Sequence, residues 1–146
     1  MKPLLIFIIA FKLVFGSTLV FALDNPDSPD LLSELELKSM KYLDSIDRVD
    51  GYRASIIAYD DYQEFLDKEL NKAYEILMKS LSKNEAKLLE MSQNSWLKHR
   101  ELEFDFINKN WTRANFGTSS SLSRGGYKCS VVKSRLIQLL NYNKNY

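Results

Sequence analysis

The sequence predicts an all-α fold: a small helical bundle built on an antiparallel αα-hairpin, with about four helices after an N-terminal signal segment. Three observations predict it. Apolar residues recur at three- and four-residue spacing through most of the chain beyond residue 30. Only three prolines and five glycines punctuate the 146 residues, which leaves room for long helices. Between residues 67 and 101, two periodic arms flank Ser82-Lys83-Asn84-Glu85, a Ser-x-x-Glu capping box that opens a new helix.

The N-terminus reads as an export signal. Met1-Lys2-Pro3 is a short basic start, Leu4 to Phe11 is apolar, and apolar character resumes after Lys12 as far as Leu23. Val20-Phe21-Ala22 suits cleavage after Ala22. Lys12 breaks the run, which disfavours a membrane span of about 20 residues. No Cys follows the apolar segment, so there is no lipid-attachment site. The mature chain is expected in a periplasm or outside the cell, without stable membrane insertion. The expected organisation is a signal peptide over 1–22, a mobile polar lead-in over 23–29 and a single helical domain over 30–146.

The first helix is expected over 30–48. Ser28 before Pro29 fits an N-cap with proline at the first helical position. Leu32, Leu35, Ser39, Tyr42, Leu43, Ile46 and Val49 make its inner stripe, and Asp50-Gly51 stops it. The second helix starts between Tyr52 and Asp61 and runs to Leu81, long enough to admit a kink near Tyr59-Asp60-Asp61. Its stripe is Tyr62, Leu66, Leu70, Ala73, Leu77 and Leu81. The third helix ends between Asn108 and Trp111. Its stripe is Leu88, Met91, Ser95, His99, Leu102 and Phe106, widened by Leu89 and Trp96. A last helix over roughly Tyr127 to Tyr142 carries Cys129, Val132, Leu136, Leu139 and Leu140 on one face, and Asn141 to Tyr146 should fray.

Charge is unevenly distributed. Residues 24–75 hold 14 acidic and 6 basic residues, whereas residues 76–146 hold 5 and 12. Either the two halves neutralise each other by packing together, or the acidic half faces a cationic partner. A strongly basic protein would be drawn to such a surface at long range. Nucleic acid is excluded as a partner, because the basic half has no dense Lys/Arg run with interleaved aromatics.

Catalytic and cofactor chemistry finds little support. One His and one Cys are present. His99 reads as a satisfied histidine of a helix interface and Cys129 as a small buried residue. Neither a second His nor a Cys pair supports a metal. Asp60, Asp61 and Glu64 read as a solvated face, and Gly125-Gly126 lacks the lysine and the strand–helix setting of a phosphate loop. No cofactor is expected, and the chain is not expected to be an enzyme.

Asp67, Leu70, Asn71 and Tyr74 on one arm, with Gln93, Trp96, Arg100 and Glu101 on the other, form D-x-x-L-N-x-x-Y…Q-x-x-W-x-x-x-R-E. This resembles the pattern of the LprI-like family, small exported helical proteins named after a lysozyme inhibitor, over about residues 55–140. Folding the arms about residue 82 places Asp67 near Leu97 to Arg100 and Asn71 near Gln93. An interhelical Asp67–Arg100 ion pair is therefore expected, with Asn71 and Gln93 hydrogen-bonded beside the Trp96 indole. The family tends to carry several cysteines, and this chain has Ala58 and Phe104 where two of them would stand. With Cys129 alone, no intramolecular disulfide can form. Arg135 is matched loosely to an arginine of the family's last helix.

The segment from Thr112 to Gly126 is rich in Ser and Gly and long for a simple connection. It is either an ordered surface loop or a protruding plug. As a plug it would present Arg113, Asn115, Phe116, Ser119, Ser120 and Arg124, with an arginine pairing a carboxylate in a partner's cleft. The resemblance implies a non-catalytic protein-binding role, with a lysozyme or another cell-wall hydrolase as the partner. The alternative is a structural or adaptor protein of the envelope, including an immunity protein against a toxin.

Overall fold

The computed structural model describes residues 29–146. The expected signal peptide, most of the expected polar lead-in and the expected Ser28 cap lie outside the described residues. Asp30 caps the first helix, α1 (Leu31–Arg48), instead: its carboxylate accepts from the Ser33 N–H at 3.1 Å and the Ser33 hydroxyl at 2.6 Å. After Asp50-Gly51 comes α2 (Tyr52–Ser80), which continues through Tyr59–Asp61 without a break. The predicted capping box is present. Ser82 accepts from the Glu85 N–H, Glu85 accepts from the Ser82 N–H at 2.9 Å, and α3 (Lys83–Asn110) begins there. A single turn, α4 (Arg113–Phe116), leads into α5 (Ser120–Asn143). No strand occurs among the described residues.

The expected last helix starts seven residues too late. Ser120 to Gly126 are helical, so half of the expected Ser/Gly loop is the first part of α5. A tight approach explains how glycines serve a helix here. A Cβ on Gly125 would lie 2.7 Å from both Cβ and Cγ of Tyr59 on α2. The low helix propensity of glycine is accepted because any side chain would hold α2 and α5 apart.

The core confirms the α2 pattern almost residue for residue. Tyr62, Leu66, Leu70, Ala73 and Leu77 are buried, joined by Ala58, and Leu81 packs at the edge. Cys129, Val132, Leu136 and Leu139 of α5 meet them, and Leu35 of α1 and Leu89 of α3 complete the cluster. In α1, Leu35 and Ser39 are buried as expected, but Leu43 is exposed. Tyr42 stacks on Phe65 at 4.5 Å and, with Tyr62, seals α1 onto α2. Lys38 reaches Glu69 on α2 at 3.4 Å and Glu34 on its own helix at 2.6 Å.

Two expectations fail together. The α2–α3 hairpin is open: α3 packs chiefly on α5, and α5 touches every other helix, most extensively α2. The expected stripe of α3 also faces outward, with Leu88, Met91, Leu102 and Phe106 all more than half exposed and His99 exposed as well. The inner line is Leu89, Gln93, Trp96, Arg100, Phe104 and Ile107, about one residue round the helix. Two of its members are polar, so an apolar count selects the wrong face.

Gly125→Ala should destabilise the fold by about 1–3 kcal/mol through overpacking. Gly126→Ala, where the nearest Tyr59 atom is 3.8 Å away, should be neutral or stabilise by up to about 1 kcal/mol through helix propensity. Urea unfolding of both variants checks the contrast.

Candidate functional site

Two groups of side chains stand out. The first lies where α2, α3 and α5 converge. Arg100 Nη1 donates to Asp67 Oδ1 at 2.8 Å, so the expected ion pair is present and bridges the open hairpin. Each side chain keeps about a third or less of its exposure (26% for Arg100, 32% for Asp67). The Arg100 guanidinium also stands 5.3 Å from the Trp96 ring and 5.8 Å from Phe104. Leu70 is buried and Tyr74 half-buried, where burial first, and then the charge of Glu90, raises its phenol pKa.

The expected Asn71–Gln93 bond is absent. Asn71 is exposed, as is Glu101. Gln93, buried, accepts from Arg135 Nε at 3.0 Å instead. The opening of the hairpin is the reason: α5 supplies the partner that α2 was expected to supply. Arg135 also donates to Gln138 Oε1 at 2.6 Å and to Ser92 Oγ at 3.3 Å, and lies 5.9 Å from the Trp96 ring. Trp96 thus receives two guanidinium groups, one from α3 and one from α5.

The second group lies at the α3–α4–α5 corner, where the expected Ser/Gly segment is partly helical. Thr112 caps α4, accepting from the Asn115 N–H at 3.3 Å, and Asn115 Nδ2 donates to the Asn110 carbonyl at 3.1 Å. Gly117, at φ +69°, ends α4 in a left-handed conformation that a side chain would strain. Ser120 is buried. Arg124 turns inward: Nη1 donates to the Trp111 carbonyl at the end of α3 and Nη2 to Ser121 Oγ at 2.7 Å. This arginine satisfies the carbonyl at a helix C-terminus. Arg113, Asn115, Phe116 and Ser119 remain exposed.

The sequence reading missed an aromatic cluster at this corner. The Trp111 ring lies 5.7 Å from Phe106, 5.8 Å from Phe116 and 4.6 Å from Tyr127. Phe106, Phe116 and Tyr127 remain 56%, 49% and 46% exposed. The available signal was the bracketing of the Ser/Gly segment by aromatics on both sides. Half-exposed aromatics held by their neighbours are suited to anchoring a partner, because little side-chain entropy remains to be lost.

The model of the family described as lysozyme inhibitor LprI matches residues 52–139. The chain belongs to the LprI family. That match spans α2 to α5 and leaves α1 outside. No curated protein and no solved structure matches the chain.

In this LprI-family chain, the chemistry-bearing residues stand apart. The Cys129 thiol is buried and donates to the Tyr59 carbonyl at 3.6 Å, while His99 lies on the exposed side of α3. Burial, with smaller contributions from Asp60 and Asp67, pushes the thiol up to about 12. Asp60, Asp61 and Glu64 are exposed, and no group of three or more ligating side chains is placed to hold a metal among the described residues. No described helix is long and apolar enough to cross a membrane.

A double-mutant cycle of Asp67→Asn and Arg100→Gln should give a coupling of about 0.5–1.5 kcal/mol, smaller at high salt. A coupling of zero would leave the pair without a role in tying α3 to α2. The raised Cys129 pKa favours the neutral thiol, so its contribution is complete below the ordinary thiol value and is lost as pH rises toward about 12. Cys129→Ala should therefore show a shallower loss of stability than the parent chain across that alkaline range, measured by denaturant midpoints.

Proposed function

We propose that this protein is an exported, non-catalytic binding domain that inhibits a lysozyme or another cell-wall hydrolase. The observation that carries the reading is the family match over residues 52–139. The aromatic corner supports it, because Phe116, Phe106 and Tyr127 offer apolar area beside the exposed, cationic Arg113. A glycosidase cleft offers the complement: a groove with two carboxylates at its base. In this reading Phe116 is the anchor, Arg113 meets a carboxylate, and Asn115 and Ser119 form the polar rim. Arg124 acts only by holding the end of α3 in place.

Turnover of animal and bacterial lysozymes with purified residues 23–146 tests the proposal. Inhibition at micromolar protein is expected, and none against either enzyme class would remove the lysozyme reading. Phe116→Ala should weaken inhibition by about 30-fold, as for an interface anchor, with the melting temperature unchanged. Arg124→Ala should lower the melting temperature first.

A further inference from the structure

Arg135 is 6% exposed, yet every group bonded to its guanidinium is neutral: Gln93, Gln138 and Ser92. None of the six ion pairs among the described residues includes it. Burial accordingly lowers its pKa, yet an arginine so placed keeps its proton at neutral pH. A buried cation without a counter-charge is costly, and proteins rarely keep one without compensation. Three of its five N–H groups are engaged, which leaves two to donate.

Arg135 lines a groove of about 640 Å³ between α3 and α5. The groove walls offer the Trp96 ring, Val131 and Ile137 as apolar surface. Ser134, Asn141 and Glu103 add hydroxyl, amide and carboxylate groups, with His99 on the exposed face of α3. Glu103 lines the facing α3 wall and makes no ion pair with Arg135.

We propose that the α3–α5 groove is a binding site for a carboxylate, which Arg135 receives as its missing counter-charge. The Trp96 face and the Glu103 and Asn141 acceptors suit a carboxylate carried on an amide-bearing, peptide-like chain better than a bare one. This site is separate from the aromatic corner and does not depend on the hydrolase reading.

The test uses the purified protein and follows the Arg135 Nε–H resonance by NMR. The probes are acetate, N-acetylalanine and N-acetylalanine methyl ester at constant ionic strength. N-acetylalanine should shift the resonance saturably with a Kd on the order of 10 mM. The ester, lacking the charge, should leave it unmoved. Acetate binding several-fold more weakly points to a peptide-like ligand, and equal binding points to a free small carboxylate. Gln138→Glu supplies an internal carboxylate at a position already bonded to Arg135. It should raise the melting temperature and weaken N-acetylalanine at least about tenfold. Absence of any shift in the parent chain, an equal response to the ester, or full binding by Gln138→Glu would each overturn the proposal.

Discussion

The close seam between α2 and α5 is the constraint on which the other contacts depend. Gly125 lets the Tyr59 side chain lie against the α5 backbone. With that approach fixed, Leu66, Leu70 and Leu77 meet Val132, Leu136 and Leu139, all at or near zero exposure. Burial of this kind contributes about 1.5–3 kcal/mol per large aliphatic side chain. No disulfide assists it, since Cys129 is the chain's one cysteine and is itself packed into the seam. The α1 and α3 helices are added to this pair, and each commits few fully buried apolar residues to the common core.

The third helix is held differently, by polar and aromatic groups. Its inner line carries a glutamine and an arginine, and each meets its partner on another helix: Arg135 for Gln93 and Asp67 for Arg100. Hydrogen bonds of this geometry specify rotation about the helix axis more sharply than aliphatic contact does, since a misplaced buried donor costs about 1–3 kcal/mol. The aliphatic residues Leu88, Met91 and Leu102 are consequently left on the outside. Register in α3 is set by its polar residues, not by its hydrophobic ones.

That is also the boundary of what could be read from the sequence. The four long helices, the capping box and the α2 core face were legible, because each rests on local chemistry or on a strong apolar period. The Asp67–Arg100 pair was legible from hairpin arithmetic, since long side chains tolerate an error in helix separation. Asn71–Gln93 was not, because short amides reach a partner only if the helices touch, and α5 contacts α3 in α2's stead. The helical state of Ser120–Gly126 was hidden for a related reason. Low propensity argued for a loop, and the benefit of Gly125 exists only once Tyr59 faces it. The aromatic corner required three segments to meet, which no single periodicity encodes.

The distribution of charge separates two properties that the proposed binding role would use. The acidic residues concentrate on α1 and the first three-quarters of α2, whereas the aromatic corner lies within the basic half of the chain, beside Arg113 and Lys109. Long-range attraction decays over a Debye length of about 8 Å at physiological salt and acts on encounter. Aromatic anchoring acts at contact and governs residence. A protein built this way need not carry both on one patch. In the proposed reading, a basic partner would approach faster at low salt because of the acidic helices, while the duration of its complex would follow Phe116 and its neighbours and depend little on salt.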